Sequence, residues 1–195
     1  MIPGWKTLSS ETHFRDEHLT VATEEVSTPA KGSPRRWTVV HRKNAVVIAP
    51  MTADGKLVLI RQERIPIQMA IWEMPAGQMD DAGEPTEEKI NAVALRELRE
   101  ETGFELAPGG ELIALGDYFS SPGFTDERGH FVLARPVQLS VSGYAHEEFE
   151  SILDCRAFTR DAIAQMIAEN QIRDANTLSV CARLAARGFL SLNTR

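Results

Sequence analysis

Apolar and polar positions change period along this chain, and each change predicts an element. From His13 to Val26 the apolar residues Phe14, Leu19, Val21 and Val26 alternate weakly with charges, which predicts short strands with polar faces. Residues 1–10 ahead of them read as a loose end. Ala30 to Arg35, with Gly32 and Pro34, reads as a turn-rich break. Trp37 to His41 and Asn44 to Ala49 are β-branched runs, and Ala53-Asp54-Gly55 is a hairpin signal followed by a strand from Leu57 to Ile60. Thr86 to Thr102 has neither Pro nor Gly and is rich in Glu, Ala, Leu and Arg, so it predicts a helix that Gly103 stops. Pro108-Gly109-Gly110 predicts a turn, and Glu111 to Phe119, His130 to Leu139 and Ser151 to Phe158 predict strands. Thr159 is placed to cap a helix running through Ile172, with Ile163, Met166, Ile167 and Ile172 as its inner stripe. Asp174 or Asn176 caps a last helix carrying Leu178, Cys181, Ala182 and Ala185 and ending at Gly188.

Composition narrows the function classes. A length of 195 residues suits one domain with a real core. A net charge of −7 argues against a nucleic-acid surface. No segment approaches the ~18 consecutive apolar residues of a membrane span. Residues 1–20 carry charges throughout and show no signal peptide. Cys155 and Cys181 lack metal or redox spacing and read as free thiols in a reducing compartment, so a cytoplasmic location is expected. His13, His18, His41, His130 and His146 are scattered without ligand spacing, and His146 to Glu150 reads as an exposed acidic stretch.

The predicted helix at Thr86 to Thr102 holds the chemistry. At about 100° per residue, Glu97, Glu100 and Glu101 share one arc, and Leu95 and Leu98 lie on the neighbouring arc that can pack on a core. Glu97 and Glu101 are like charges at i,i+4, and all three acids sit where the helix dipole disfavours negative charge. One reading is a solvated acidic face softened by Arg96 and Arg99. The other is a cluster compensated by a hard divalent cation, for which Mg²⁺ takes oxygen ligands and keeps waters for a substrate phosphate.

The spacing favours the second reading. Arg96-Glu97-Leu98-Arg99-Glu100-Glu101-Thr102-Gly103-Phe104, with Glu88 eight positions before Arg96, resembles the signature box of the Nudix family. The front of the box departs from that pattern. Ala82 stands where the first Gly belongs, the equivalent glycine is Gly77 in Met74-Pro75-Ala76-Gly77, and Glu84 competes with Glu88 for the early acidic role. Arg61-Gln62-Glu63-Arg64, the Ser121-Pro122-Gly123-Phe124-Thr125-Asp126-Glu127 loop and Gln171 to Thr177 resemble the ADP-ribose and nucleoside diphosphate sugar pyrophosphatase branch.

That resemblance implies an α/β fold of the α+β kind, a Nudix α/β/α sandwich around a mixed sheet, with a small N-terminal antiparallel sheet. Residues 1–42 would be a β-rich dimerisation segment and 43–195 the catalytic domain of a homodimer. It implies Mg²⁺-dependent hydrolysis, with Mn²⁺ as a substitute, of the diphosphate in a nucleoside diphosphate sugar. ADP-ribose would give AMP and ribose 5-phosphate. Alternatives are a GDP-mannose type of substrate, a dinucleotide, or a module that binds a nucleotide without cleaving it. Glu97, Glu101, Glu100 and the Ala76 carbonyl would serve the metal. Arg64, Glu73 and Arg61 would contact substrate, and Arg96 would orient Glu97 or Glu100. For the base, Glu127 competes with Glu100; a loop pinned by Pro122 and loosened by Gly123 and Gly129 could swing Glu127 in, which favours Glu127.

Overall fold

A computed structural model describes residues 4–79, 84–141 and 151–192. Ala82, Asp80 and the stretch from His146 to Glu150 lie outside the described residues.

The chain opens with a three-stranded antiparallel sheet of β1 (Lys6–Arg15), β2 (Leu19–Thr28) and β3 (Lys31–Arg42) in that order. Two expectations fail here. Residues 6–10 are strand, because they pair with the far half of β2 from Lys6↔Ser27 onward. The turn is confined to Pro29 and Ala30, and β3 already starts at Lys31. Pro34 is tolerated there because an edge strand leaves one side without ladder bonds to donate. Every residue of β1 is exposed.

The remaining strands build one seven-stranded sheet. These are β4 (Ala45–Thr52), β5 (Leu57–Arg64), β6 (Met69–Glu73), β7 (Ala76–Gln78), β8 (Phe104–Phe119), β9 (Arg128–Leu139) and β10 (Ile152–Phe158). The main path runs β10-β5-β4-β9-β8, with β6 against β5 and β7 against β4. Only the central β4–β9 pair is parallel among the pairs described. Pro108, Gly109 and Gly110 do not end a strand; they form a bulge inside β8, between Leu106 and Glu111, where the partner strand continues.

The central strands are apolar at successive positions because both their faces are covered. On one face Val47, Ala49, Leu57, Leu59, Phe131 and Leu133 meet α2 (Arg160–Ala168) and α3 (Ala175–Ala186), through Ile163, Met166, Val180, Cys181 and Leu184. On the other, Val46, Ile48, Val58, Val132 and Ala134 meet Ala94 and Leu98 of α1 (Glu87–Thr102). The result is the expected α/β/α sandwich around a mixed sheet. Of the two leucines assigned to the core arc of α1, Leu98 is fully buried but Leu95 is largely exposed, and Ala94 takes its place. Helix α2 stops at Ala168, short of Ile172. Asn170 turns left-handed, and Gln171 and Ile172 bond back to the Met166 carbonyl, which folds the Ile172 side chain into the same core without a helix.

Candidate active site

Helix α1 is defined at both ends by its own residues. Thr86 caps the first turn, its hydroxyl accepting from the Lys89 amide, and Gly103 ends the helix with a left-handed φ of 69°. Glu84 and Glu88 are exposed near the start, and Glu88 suits the positive end of the helix dipole. The other acids are placed differently. Glu97 is 4% exposed and Glu101 only 1%, so the solvated-face reading does not hold for them. Two carboxylates are not buried this deeply unless something compensates them.

The compensation begins with β7. Val46↔Gly77 and Val47↔Ala76 pair β7 with β4, and the Ile48 amide donates to the Pro75 carbonyl at 2.9 Å. Successive residues of an extended strand turn their backbone groups to opposite edges, so Ala76 faces away from β4. There its N–H donates to Glu101 Oε2 at 2.8 Å, and its carbonyl is turned toward the same edge. Gly77 makes room for the second acid. A Cβ at Gly77 would lie 1.7 Å from Glu97 Oε1, so the carboxylate occupies the space that any other residue would fill.

Arg96 orients both acids that the sequence offered it. Its Nη2 lies 2.7 Å from Glu97 Oε1 and its Nη1 3.1 Å from Glu100 Oε2, while Nη2 also donates to the Gln78 carbonyl at 3.4 Å. With Glu97 and Glu100 leaning on Arg96, no three Asp, Glu, His or Cys groups form a ready cage among the described residues. The donor set at this edge is nevertheless all oxygen: two buried carboxylates and a backbone carbonyl. That set, with Glu97 cradled where a side chain would otherwise sit, fits a hard divalent cation.

Arg64 and Glu73 form a fork pair across the β5–β6 ladder, with Arg64 Nε 2.9 Å from Oε1 and Nη2 3.0 Å from Oε2. Burial raises the Glu73 carboxyl from its ordinary value, and Arg64 pulls against that shift. Burial works to lower the Arg64 pKa, but Glu73, then Glu101 and Asp174, leave it raised. Arg61 is exposed and takes the other face of β5 by alternation, opposite Trp72 in register, so it does not join this pair.

The loop after β8 is held rather than free. Trp37 donates from its indole to the Gly123 carbonyl at 2.8 Å, and the Val40 amide to the Phe124 carbonyl at 2.8 Å. The Arg42 amide donates to Asp126 Oδ1 at 3.1 Å, and His41 Nδ1 lies 2.7 Å from Asp126 Oδ2. Glu127 pairs through Oε1 with Arg42 at 3.1 Å and is 12% exposed. β3 thereby clasps the second half of the loop, from Gly123 to Glu127. Tyr118, stacked on Phe131, is part of the same surroundings, since burial and then the charges of Glu127 and Asp174 push its phenol upward.

Sequence reasoning assigned the acids and Arg96 but missed Trp37, His41, Arg42 and Tyr118. Their partners lie far along the chain, so no local spacing announces them. It also missed what Thr177 does. Buried at the start of α3, Thr177 accepts the Met74 amide at 2.8 Å, and Asp174 accepts from the Thr177 hydroxyl and amide at 2.7 Å each.

Comparison with known proteins gives this geometry its context. The model of the NUDIX domain matches residues 40–179. The methanol dehydrogenase activator of Bacillus methanolicus is 30% identical over 175 residues, covering 89% of this chain and 88% of its own. The ADP-ribose pyrophosphatase of Bacillus subtilis (strain 168) is 29% identical over 172 residues, covering 88% of each. A crystal structure described as that of an ADP compounds hydrolase superposes with a TM-score of 0.74 at 21% identity, covering 97% of this chain and 99% of the other, which supports the fold. A buried acidic helix end laid against a glycine strand, a family match across most of the chain and relatives aligned over nearly their full length agree: the chain belongs to the Nudix family and is a Nudix hydrolase.

Proposed function

We propose that this enzyme hydrolyses the diphosphate of a nucleoside diphosphate sugar, ADP-ribose foremost, to AMP and ribose 5-phosphate. The observation that carries the reading is the buried pair Glu97 and Glu101 seated on Ala76 and Gly77. The name of the Bacillus subtilis relative points to the same substrate class. Glu97, Glu101 and the Ala76 carbonyl would hold Mg²⁺, or Mn²⁺ in its place, with Glu100 as a further ligand. When bound, the cation offsets the charge of the diphosphate and makes a water more acidic.

The chain's own groups do the rest. Arg96 keeps Glu97 and Glu100 aimed at the same place. Arg64, locked by Glu73, offers a fixed positive charge for the sugar or its phosphate, and Arg61 has no part in this reading. Glu127 takes the proton of the attacking water. Its Oε1 is engaged by Arg42, and Oε2 is the oxygen for that proton. The new P–O bond forms as the bridging P–O bond breaks, and the leaving phosphate carries away the electron pair.

Residues 1–42 would dimerise the enzyme and 43–195 would catalyse. Trp5, Leu8, Phe14 and Trp37 are exposed on the small sheet, a poor place for apolar side chains in a lone subunit. The two free thiols, Cys155 and Cys181, suit a cytoplasmic enzyme, and no helix among the described residues is long and apolar enough to cross a membrane. A panel of ADP-ribose, GDP-mannose and a dinucleotide, each with Mg²⁺ and with excess EDTA, tests the reading. Phosphomonoester released from ADP-ribose with Mg²⁺ only is the expected result. Turnover in EDTA, or preference for either other substrate, would overturn it.

A further inference from the structure

The strand that faces the buried acids is anchored from the far end of the chain. Between β6 and β7 the chain passes through Met74 and Pro75, which belong to neither strand. Three bonds fix it: the Met74 amide to Thr177 Oγ1 at 2.8 Å, the Ile48 amide to the Pro75 carbonyl at 2.9 Å, and the Ala76 amide to Glu101 Oε2 at 2.8 Å. Met74 is 2% exposed and Thr177 0%, so water does not substitute for the first of these.

The polarity of that first bond is forced. The Met74 amide can only donate, and an ionised Asp174 can only accept. The Thr177 hydroxyl must therefore give its proton to Asp174 Oδ2 and offer a lone pair to Met74. The Thr177 amide donates to the same Asp174 oxygen at 2.7 Å, so the N-cap of α3 and the relay are one object. Pro75 stiffens the step from Met74 to Ala76 because its φ is fixed. Two residues beyond Met74, the Ala76 amide meets Glu101, so a displacement of Met74 reaches the carboxylate through a short, stiff path.

We propose that Asp174 and Thr177 are positioning residues that set the metal affinity of the site by holding Met74–Ala76 against Glu101. This rests on the metal-binding reading of Glu97 and Glu101. Neither residue touches the reacting atoms. The relay makes α3 the outer support of an acidic site built on α1, and loss of such a support typically costs about 10–100-fold in metal affinity.

The test is Mn²⁺ binding to the full chain without substrate, followed by electron paramagnetic resonance of the free ion, for the native protein, Thr177→Val, Thr177→Ser and Glu101→Gln. Thr177→Val keeps the shape and loses the relay. It is expected to bind Mn²⁺ about tenfold more weakly and to need correspondingly more Mn²⁺ for half-maximal turnover, with kcat at saturating metal little changed. Thr177→Ser restores the hydroxyl and is expected to restore the affinity. A lower melting temperature in Thr177→Val with unchanged Mn²⁺ affinity would make the relay a helix cap only and overturn the inference. If Thr177→Val does not fold, Asp174→Ala serves, since it leaves the hydroxyl present but unoriented; weaker Mn²⁺ binding supports the relay and native binding overturns it. If Glu101→Gln binds Mn²⁺ as the native protein does, the metal-site reading itself falls. If only Glu101→Gln is impaired, the relay alone falls.

Discussion

Single atoms decide the centre of this site. Replacing the Gly77 hydrogen by a methyl places carbon 1.7 Å from Glu97 Oε1, so the carboxylate has to leave. Gly77→Ala is expected to lower kcat/KM about 10²-fold, the usual scale for misplacing a catalytic group by an ångström, in a protein that still melts cooperatively. Steady-state kinetics beside a thermal melt checks this. The rival bases are separated in the same way. Glu100 is 24% exposed and tied to Arg96, whereas Glu127 is 12% exposed and tied to Arg42. Glu127→Gln is expected to lose about 10²-fold or more in kcat with metal affinity intact. Normal turnover in Glu127→Gln, with Glu100→Gln inactive but still binding metal, would move the base to the helix. The acids were legible in the sequence because helical spacing is local: Glu97, Glu100 and Glu101 share an arc by arithmetic alone. Their burial was not legible, since it depends on Gly77 and Ala76, which reach them only through the sheet.

Among the elements, β3 has the least expected part. As sequence it is a β-branched run ending in charges, and nothing in it names the loop it holds. Its indole and backbone groups bond Gly123, Phe124 and Asp126, and its last residue, Arg42, pairs with Glu127. The loop's Pro and Gly content suggested movement, but composition describes only what a segment can do alone. Bonds supplied by another strand decide what it does. Arg42→Ala keeps the backbone clasp and removes only the ion pair. It is expected to reduce kcat by about tenfold while substrate KM changes little, because Glu127, the proposed base, is left loose and the proposed substrate contacts are untouched. A fall in KM affinity with unchanged kcat would instead assign Arg42 to substrate. The two-faced apolar strands were read correctly as strands for the opposite reason: their pattern is written in consecutive residues, whatever covers them.

At the scale of the molecule, the small sheet holds the loop that carries Glu127 and also leaves apolar residues exposed, among them Leu8 and Phe14. Light scattering is expected to report twice the 21.6 kDa chain mass at micromolar concentration. A fully active monomer would refute the dimer. The bonds that complete the site also span long stretches of chain: 86 residues separate Trp37 from Gly123, and 103 separate Met74 from Thr177. Contacts so distant in sequence form slowly, because the intervening loop must be closed before they contribute. On the ribosome the order is stricter still. The acidic helix is complete once Thr102 has been made, but the hydroxyl that anchors the facing strand arrives only with Thr177. A nascent chain therefore carries its cluster of carboxylates through about 75 further residues of synthesis with the backbone opposite them unanchored, and it becomes a finished site only after Thr177 has been made.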